Sequence, residues 1–349
     1  MVGKNFGRFL GLAVAASVLL AGAGMASAQD VFNMPSGQTS LVMVPVGNPG
    51  NAKDTRVMDD GTTGYGQVNY AYRIGEYDVT AGQYTAFLNA VAKTDTYGLY
   101  NTTQARTDYG SGITRTGSSG SYVYSVDPAS VNRPVNYVSF WDSCRFANWL
   151  QNGQPTGAQN ASTTEDGAYT LTSTGMANNT ITRNTGTTWA VTSEDEWYKA
   201  AYYNPAAGNY YLFPTSSNTA PGNNLADPLG NNANCYTGTG PYPIDNGRYT
   251  TVVGQFQNSA SPYGTFDQGG DVWQWDDRSI YGSYGGLRGG SFDNGVYNLQ
   301  SSVRSYDPHP SYAGGDVGFR VSQVPEPASL GVLSIGVIGM LIRRRGAAN

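Results

Sequence analysis

The chain has 349 residues, only 13% of them charged, and a formal net charge of −5. Nothing basic is clustered, which excludes nucleic acid as an expected partner. Glycine (46) and tyrosine (26) are abundant. This predicts a loop-rich protein, polar through hydroxyls and amides, with enough apolar and aromatic residues for a sizeable core.

Lys4 and Arg8 precede an apolar run at 9–23, and Ala26-Ser27-Ala28 supplies an A-x-A cleavage site. The pattern predicts a secretory signal peptide over 1–28, cut before Gln29. The run is short for a first transmembrane helix. Residues 41–46 predict a first strand, and 47–66 a loop. Residues 70–79 are strand-like, with Glu76 and Asp78 on one face. Thr80 predicts a helix N-cap with Gln83 three residues on, as in a capping box. Tyr84, Phe87, Leu88 and Val91 follow at helical spacing.

Residues 94–132 are a Gly/Ser/Thr/Tyr-rich insertion, expected as surface hairpin or loop. Ser139 predicts the cap of a second helix, whose apolar face is Phe140, Cys144, Ala147 and Leu150, widened by Trp141 and Trp149. Residues 152–187 form another polar insertion. Residues 187–191 predict a short strand with Trp189 pointing inward. Thr192 is expected to cap the next helix. Glu194, Asp195 and Glu196 lie in its first turn, where the helix dipole favours acids over a metal-cluster reading. Residues 204–262 carry little regular signal, and so long an irregular region is often functional or tied to an ion. No linker precedes Gln323, so one domain over 29–322 is expected.

The stretch 263–322 is the most patterned. Trp273 and Trp275 alternate around Gln274, which places both indoles on one strand face. Arg288, Arg304 and Arg320 are single charges in a neutral, glycine-rich run. Such arginines are usually held by a carboxylate or several carbonyls; ligand binding is the other reading.

GGDVWQWDD, LRGGSF and VGFRV occur in this order, after YRIGEYDVTAGQYTAFLNA, RPVNYVSFWDSCRFANWL and WAVTSEDEWYKAA. Together they resemble the formylglycine-generating enzyme, or sulfatase-modifying factor, superfamily. The resemblance covers roughly residues 40–322. It implies an α+β fold, the C-type-lectin-like variant, with twisted antiparallel strands, two or three helices and extensive loops. The family enzyme oxidises a sulfatase cysteine to formylglycine with copper, held by two cysteines after the RGGS serine. Counted from Ser291, those positions here are Asn294 and Leu299, and no cysteine follows Cys235. Neither side chain can hold copper(I), so copper is not expected. One histidine, His309, cannot build a multi-histidine iron site; it is expected in an exposed loop. No GxSxG, HExxH or P-loop pattern is present.

The resemblance also implies calcium. One set would be Asp267, the carbonyls of Gly270 and Val272, and Gln274, where the family has an acid. A second would be Asn234, the Cys235 carbonyl and Asp245. Cys144 and Cys235 either form a disulfide or remain buried thiols.

The end of the chain, 323–349, carries Val324-Pro325-Glu326-Pro327, an apolar run at 328–342 and Arg343-Arg344-Arg345. This resembles the PEP-CTERM sorting signal of Gram-negative exopolysaccharide producers, whose tail an exosortase removes. The alternative is an uncleaved anchor, and the membrane is met only through this segment. The expectation is an exported domain of the cell envelope, surface or matrix. In the leading reading it is non-catalytic and binds or scaffolds exopolysaccharide or an envelope protein. The alternative is a formylglycine-type oxidoreductase with unidentified site residues; a passive matrix component is a third.

Overall fold

The computed structural model describes residues 40–238, 242–280, 284–305 and 309–325. The signals at Ala26, Ala28, Glu326, Pro327, Arg343, Arg344 and Arg345 lie outside them. β1 (Met43–Val46) buries Met43 and Val46 and turns Pro45 outward. A proline is tolerated there because β1 is a sheet edge. β2 (Tyr72–Gly75) is shorter than the sequence suggests, because the chain turns at Glu76 towards the next helix. That helix, α1 (Ala81–Val91), starts on the predicted capping box. Thr80 Oγ1 accepts from Gln83 N at 3.2 Å, and Gln83 Oε1 accepts from Thr80 N at 2.9 Å.

The first insertion forms a hairpin of β3 (Ile113–Thr116) and β4 (Val123–Val126). α2 (Phe140–Gln151) begins at Ser139 as expected, with Asp142 returning the bond to the cap. The second insertion holds a short α3 (Ser173–Ala177), capped by the Thr172 side chain. Among the described residues, four α-helices therefore stand where two or three were expected. In β5 (Trp189–Val191), Ala190 and Val191 are buried while Trp189 is only half-covered. Trp189 pairs with Gln323 at the end of an edge strand, so it packs on the rim and not inside. α4 (Glu194–Tyr202) is capped by Ser193, one residue later than predicted. Thr192 instead donates its hydroxyl to Arg320 O at 3.2 Å.

A small hairpin, β6 (Tyr203–Asn204) with β7 (Asn209–Tyr210), leads into the irregular region. β8 (Trp273–Ile280), β9 (Tyr284–Arg288), β10 (Val317–Phe319) and β11 (Val321–Gln323) close the chain. One sheet has the order β1-β2-β11-β5, all antiparallel. The first and last strands therefore both pair with β2. The other main sheet is β10-β8-β9; its β10–β8 pair is parallel, which the expectation of antiparallel strands missed. α1, α2 and both sheets share one core. Phe146 sits 5.3 Å from Phe87 and 5.3 Å from Phe319, centroid to centroid. Trp273 and Trp275 both join that core, as their alternation predicts. Trp275 Nε1 donates to Val138 O at 3.0 Å, which satisfies its polar atom.

The three arginines are structural ties. Arg288, fully buried, donates to Glu194 Oε1 from Nε at 3.0 Å and Nη2 at 2.7 Å. Its Nη1 donates to the carbonyls of Ser301 and Val303, both at 3.0 Å. Arg304 lies 3.4 Å from Glu194 Oε2 and 3.4 Å from Asp60 Oδ2. Arg320 reaches Gly75 O and Phe266 O at 2.6 Å each, with Asp78 at 3.6 Å. Removing one partner of a buried pair strands the other charge. Glu194→Ala is therefore expected to lower the unfolding free energy by ~3–5 kcal/mol, measured by urea unfolding. A loss below ~1 kcal/mol, the scale of an exposed pair, would mean the carbonyls alone hold Arg288.

Candidate functional site

The positions where the family enzyme keeps its thiols follow β9. Gly289, at φ +102°, makes the turn; a Cβ there would lie 2.6 Å from Gln268 O, so only glycine fits. The turn delivers Ser291, whose Oγ donates to Asn294 Oδ1 at 2.7 Å and whose N donates to the same oxygen at 3.1 Å. Asn294 is thus a turn cap. Leu299 is fully buried with Phe213, Ala233 and Cys235. Neither position presents a group that could react or ligate a soft metal.

Rings surround this turn. Tyr109, Tyr249 and Phe292 contact one another at 5.0–5.4 Å. Tyr242 adds to them at 5.4 Å from Tyr249, and Tyr236 at 5.3 Å from Tyr242. The Tyr242 hydroxyl donates to Phe292 O at 2.8 Å. Tyr236 is 48% exposed, so the cluster has an open side. The tyrosine content is legible in the sequence, but the gathering of these rings is not, because they come from three distant stretches of chain.

The calcium residues are placed as follows. Gln274 is fully buried, and its Oε1 accepts from Trp197 Nε1 at 2.6 Å and Arg320 Nε at 3.1 Å. Its Nε2 donates to Asp267 O at 2.8 Å. Both lone pairs of its one oxygen are used, and a guanidinium already stands beside it. The Asp267–Gln274 set therefore does not fit a calcium ion. Asp267 Oδ2 instead accepts from Gly254 N at 2.6 Å. In the second set, Asp245 is held by Arg133 at 2.6 Å, and the Cys235 carbonyl accepts from Asn223 Nδ2 at 3.1 Å. Asn234 donates its amide to Tyr249 O and Asp271 Oδ1, while its buried Oδ1 has no partner. Among the described residues, no group of three or more His, Cys, Asp or Glu is arranged to hold a metal.

The cysteines are separate free thiols, which corrects the disulfide alternative. Cys144 lies in the main core and Cys235 in the small Leu299 cluster. Burial pushes both thiols up, Cys235 to about 12, which keeps them protonated and unreactive. His309 is exposed, as expected; its Nδ1 accepts from Ser311 N at 3.2 Å.

Sequence reading missed a buried acid group. Asp271 accepts from Asn234 Nδ2, Thr251 N and Thr251 Oγ1, each at 3.0 Å. Burial, reinforced by Asp267, raises its carboxyl to about 7. Burial raises Asp267 to about 6 against the bond from Gly254 and the charge of Arg320. Asp78 is also buried, both its oxygens lack hydrogen bonds, and burial outweighs Arg320 to raise it. The only signal available was Asp271 inside the GGDVW segment.

A family model described as the sulfatase-modifying factor enzyme 1-like domain matches residues 28–324. The chain belongs to this family. Its PEP-CTERM protein-sorting motif is matched at 323–345. The structure of CarF is 18% identical, with a TM-score of 0.50, covering 82% of this chain and 99% of that one. Treponema denticola variable protein 1 is 17% identical, with a TM-score of 0.47 and coverage of 82% and 96%. PvdO from Pseudomonas aeruginosa is 18% identical, with a TM-score of 0.47 and coverage of 85% and 98%. No curated protein matches. This sulfatase-modifying-factor-like protein therefore has the expected α+β fold. Its sorting motif marks an exported, cell-envelope protein and implies processing by an exosortase-type enzyme. Of that motif, Val324 and Pro325 are described; Val324 N donates to Thr188 O at 2.8 Å. No helix among the described residues is long and apolar enough to cross a membrane.

The raised acids set a pH dependence. Asp267, Asp271 and Asp142 hold protons in the folded state up to about 6, 7 and 6, against an ordinary 3.8 when unfolded. Between these limits the folded protein binds more protons, so stability falls as pH rises. Glu196 works oppositely: burial raises it, but Arg183 and the bonds from Tyr70 and Ser193 together lower it, and this acts only near and below its ordinary 4.5. The melting temperature is expected to be higher at pH 5 than at pH 7.5. Each group contributes at most ~1.4 kcal/mol per pH unit inside its window. Asp271→Asn keeps the shape of the protonated acid and should flatten the slope. A melting temperature that climbs from pH 5 to 7.5 would contradict this.

Proposed function

We propose that the protein is an exported, non-catalytic sulfatase-modifying-factor domain that binds extracellular matrix, with polysaccharide as the first partner and an envelope protein as the second. The observation that carries this is the pair Asn294 and Leu299. One caps a turn and the other fills a core, so the family's copper chemistry has no ligands at its own position. The tyrosine cluster around Phe292 supports binding, since tyrosine supplies rigid contact area at low entropic cost. The sorting motif supports delivery to the envelope, where such matrix is found.

The oxidoreductase alternative needs thiols that converge, and Cys144 and Cys235 lie in different clusters with raised thiol values. The purified domain, supplied with copper and reductant, is expected to leave a CxPxR peptide unchanged by mass spectrometry. It is expected to retain envelope polysaccharide on a column, and Cys144→Ser with Cys235→Ser should not alter that retention. Peptide turnover that this double variant abolishes would replace the reading with the enzymatic one.

Calcium enters the proposal at the second set, Asn234 with the Cys235 carbonyl and Asp245, where the buried Asn234 oxygen has no partner. An ion that binds only the folded state raises its stability by mass action. Adding calcium to chelator-cleaned protein is expected to raise the melting temperature, and Asn234→Ala to remove the rise. Asp267→Ala should leave the response in place. Identical melting curves with and without calcium would remove the ion from the proposal.

A further inference from the structure

An opening lies at the start of α2. It is a cleft of about 420 Å³, within the ~300–1,000 Å³ of small-molecule sites. Tyr97 and Asn101 of the first insertion form one wall. Trp141, Asp142 and Arg145 of α2 form the floor, and His309 closes the far side. These groups meet from three distant stretches of chain.

Each polar group keeps a valence unused by the protein. Asp142 is 8% exposed. Its Oδ2 accepts from Ser139 N at 2.9 Å and Ser139 Oγ at 2.6 Å. Its Oδ1 meets only Arg145 Nη1 at 3.9 Å, beyond hydrogen-bond reach. Arg145 grips Glu165 through Nε at 2.7 Å and Nη2 at 3.0 Å. Its Nη1 and the indole N–H of Trp141 have no acceptor among the described residues. Arg145 covers one face of the Tyr97 ring at 4.6 Å, yet Tyr97 is 44% exposed, so its other surface is open. Tyr137, also in the wall, is held at φ 54°, a conformation costly for a bulky residue. Its N–H is fixed to Gly314 O at 2.9 Å.

An acceptor and two donors side by side, next to an open ring, suit a ligand with adjacent hydroxyls and a C–H face. Charge narrows the class further. Glu165 and Asp142 offset Arg145, so an anionic ligand would meet two carboxylates. A cationic ligand would meet the guanidinium. We propose that this cleft binds a neutral hexose-type sugar residue of a glycan. Asp142 Oδ1 accepts from one hydroxyl, Arg145 Nη1 and Trp141 Nε1 donate to its neighbours, and Tyr97 packs on the ring's C–H face. The proposal rests on the matrix-binding reading and gives it a specific contact point.

The test is calorimetric titration of the purified domain with neutral, uronate and amino-sugar oligosaccharides, beside retention on native envelope polysaccharide. Tyr97→Ala removes an exposed ring, and Trp141→Phe removes one N–H and trims a buried ring. Binding of a neutral oligosaccharide is expected, weakened about tenfold in each variant, with the melting temperature unchanged in Tyr97→Ala and lowered in Trp141→Phe. If wild type and both variants retain the native polysaccharide equally, the cleft assignment is overturned while the matrix reading stands. If a neutral sugar binds and both variants lose it, but native polysaccharide is not retained, the cleft stands and the matrix reading fails. Preference for uronate or amino sugars, or no sugar binding at all, overturns the assignment.

Discussion

The guanidinium of Arg288 is fully buried between Glu194 and the carbonyls of Ser301 and Val303, with the rings of Tyr65 and Tyr198 each 5.1 Å away. Arg288 ends β9, Glu194 opens α4, and the two carbonyls belong to the loop after the Asn294 turn. One side chain therefore ties α4 to β9 and to the loop, which themselves meet at the Leu287–Ser305 bridge. A buried charge tolerates little displacement, because any shift leaves it partly unpaired in a medium of low dielectric. The geometry of the glycine-rich turn at Gly289–Ser291 follows from that anchorage. Glu194 also lies 3.4 Å from Arg304, so the same carboxylate organises a second arginine.

This use of charge explains the composition. Only 13% of residues are charged, yet many of them are inside. Arg320, Lys199, Glu196 and Asp78 are all buried. Lys199 donates to Asn48 O at 2.9 Å, and burial lowers its ammonium to about 8. Arg183 joins Glu196 and Asp277. Loops this long have many carbonyls that no helix or strand satisfies. Buried cations with several donors satisfy them where an ion or water would otherwise be required. Gln274 fits the same pattern: neutral in side chain, it bridges Trp197, Arg320 and the Asp267 carbonyl.

Local patterns in the sequence were legible, and partners far along the chain were not. The capping boxes at Thr80 and Ser139 are encoded within four residues, and spacing alone reveals them. The cap of α4 was misplaced by one residue because Thr192 and Ser193 are chemically alike. What separates them is the Arg320 carbonyl, distant in sequence. That Arg288 needs a carboxylate follows from its apolar surroundings, but that it is Glu194 does not, with 94 residues between them. The partners of Gln274 are illegible for the same reason, since its oxygen is taken by Trp197 and Arg320, which no local window contains. The parallel pairing of β10 with β8 likewise depends on the path of the intervening loops.

Asn294 and Leu299 both serve the scaffold. Asn294 supports the turn by accepting two bonds from Ser291, and Leu299 adds apolar contacts that a thiolate would disrupt. Both residues favour rigidity over reactivity at the place where the family enzyme is reactive. The turn packs against the ring cluster of Tyr109, Tyr249 and Phe292. With most ion pairs inside, the outer face offers ring surfaces, hydroxyls and amides. Recognition by such a face depends on shape and hydrogen bonding, which salt screens far less than exposed charge, and that suits a domain sorted to the cell envelope.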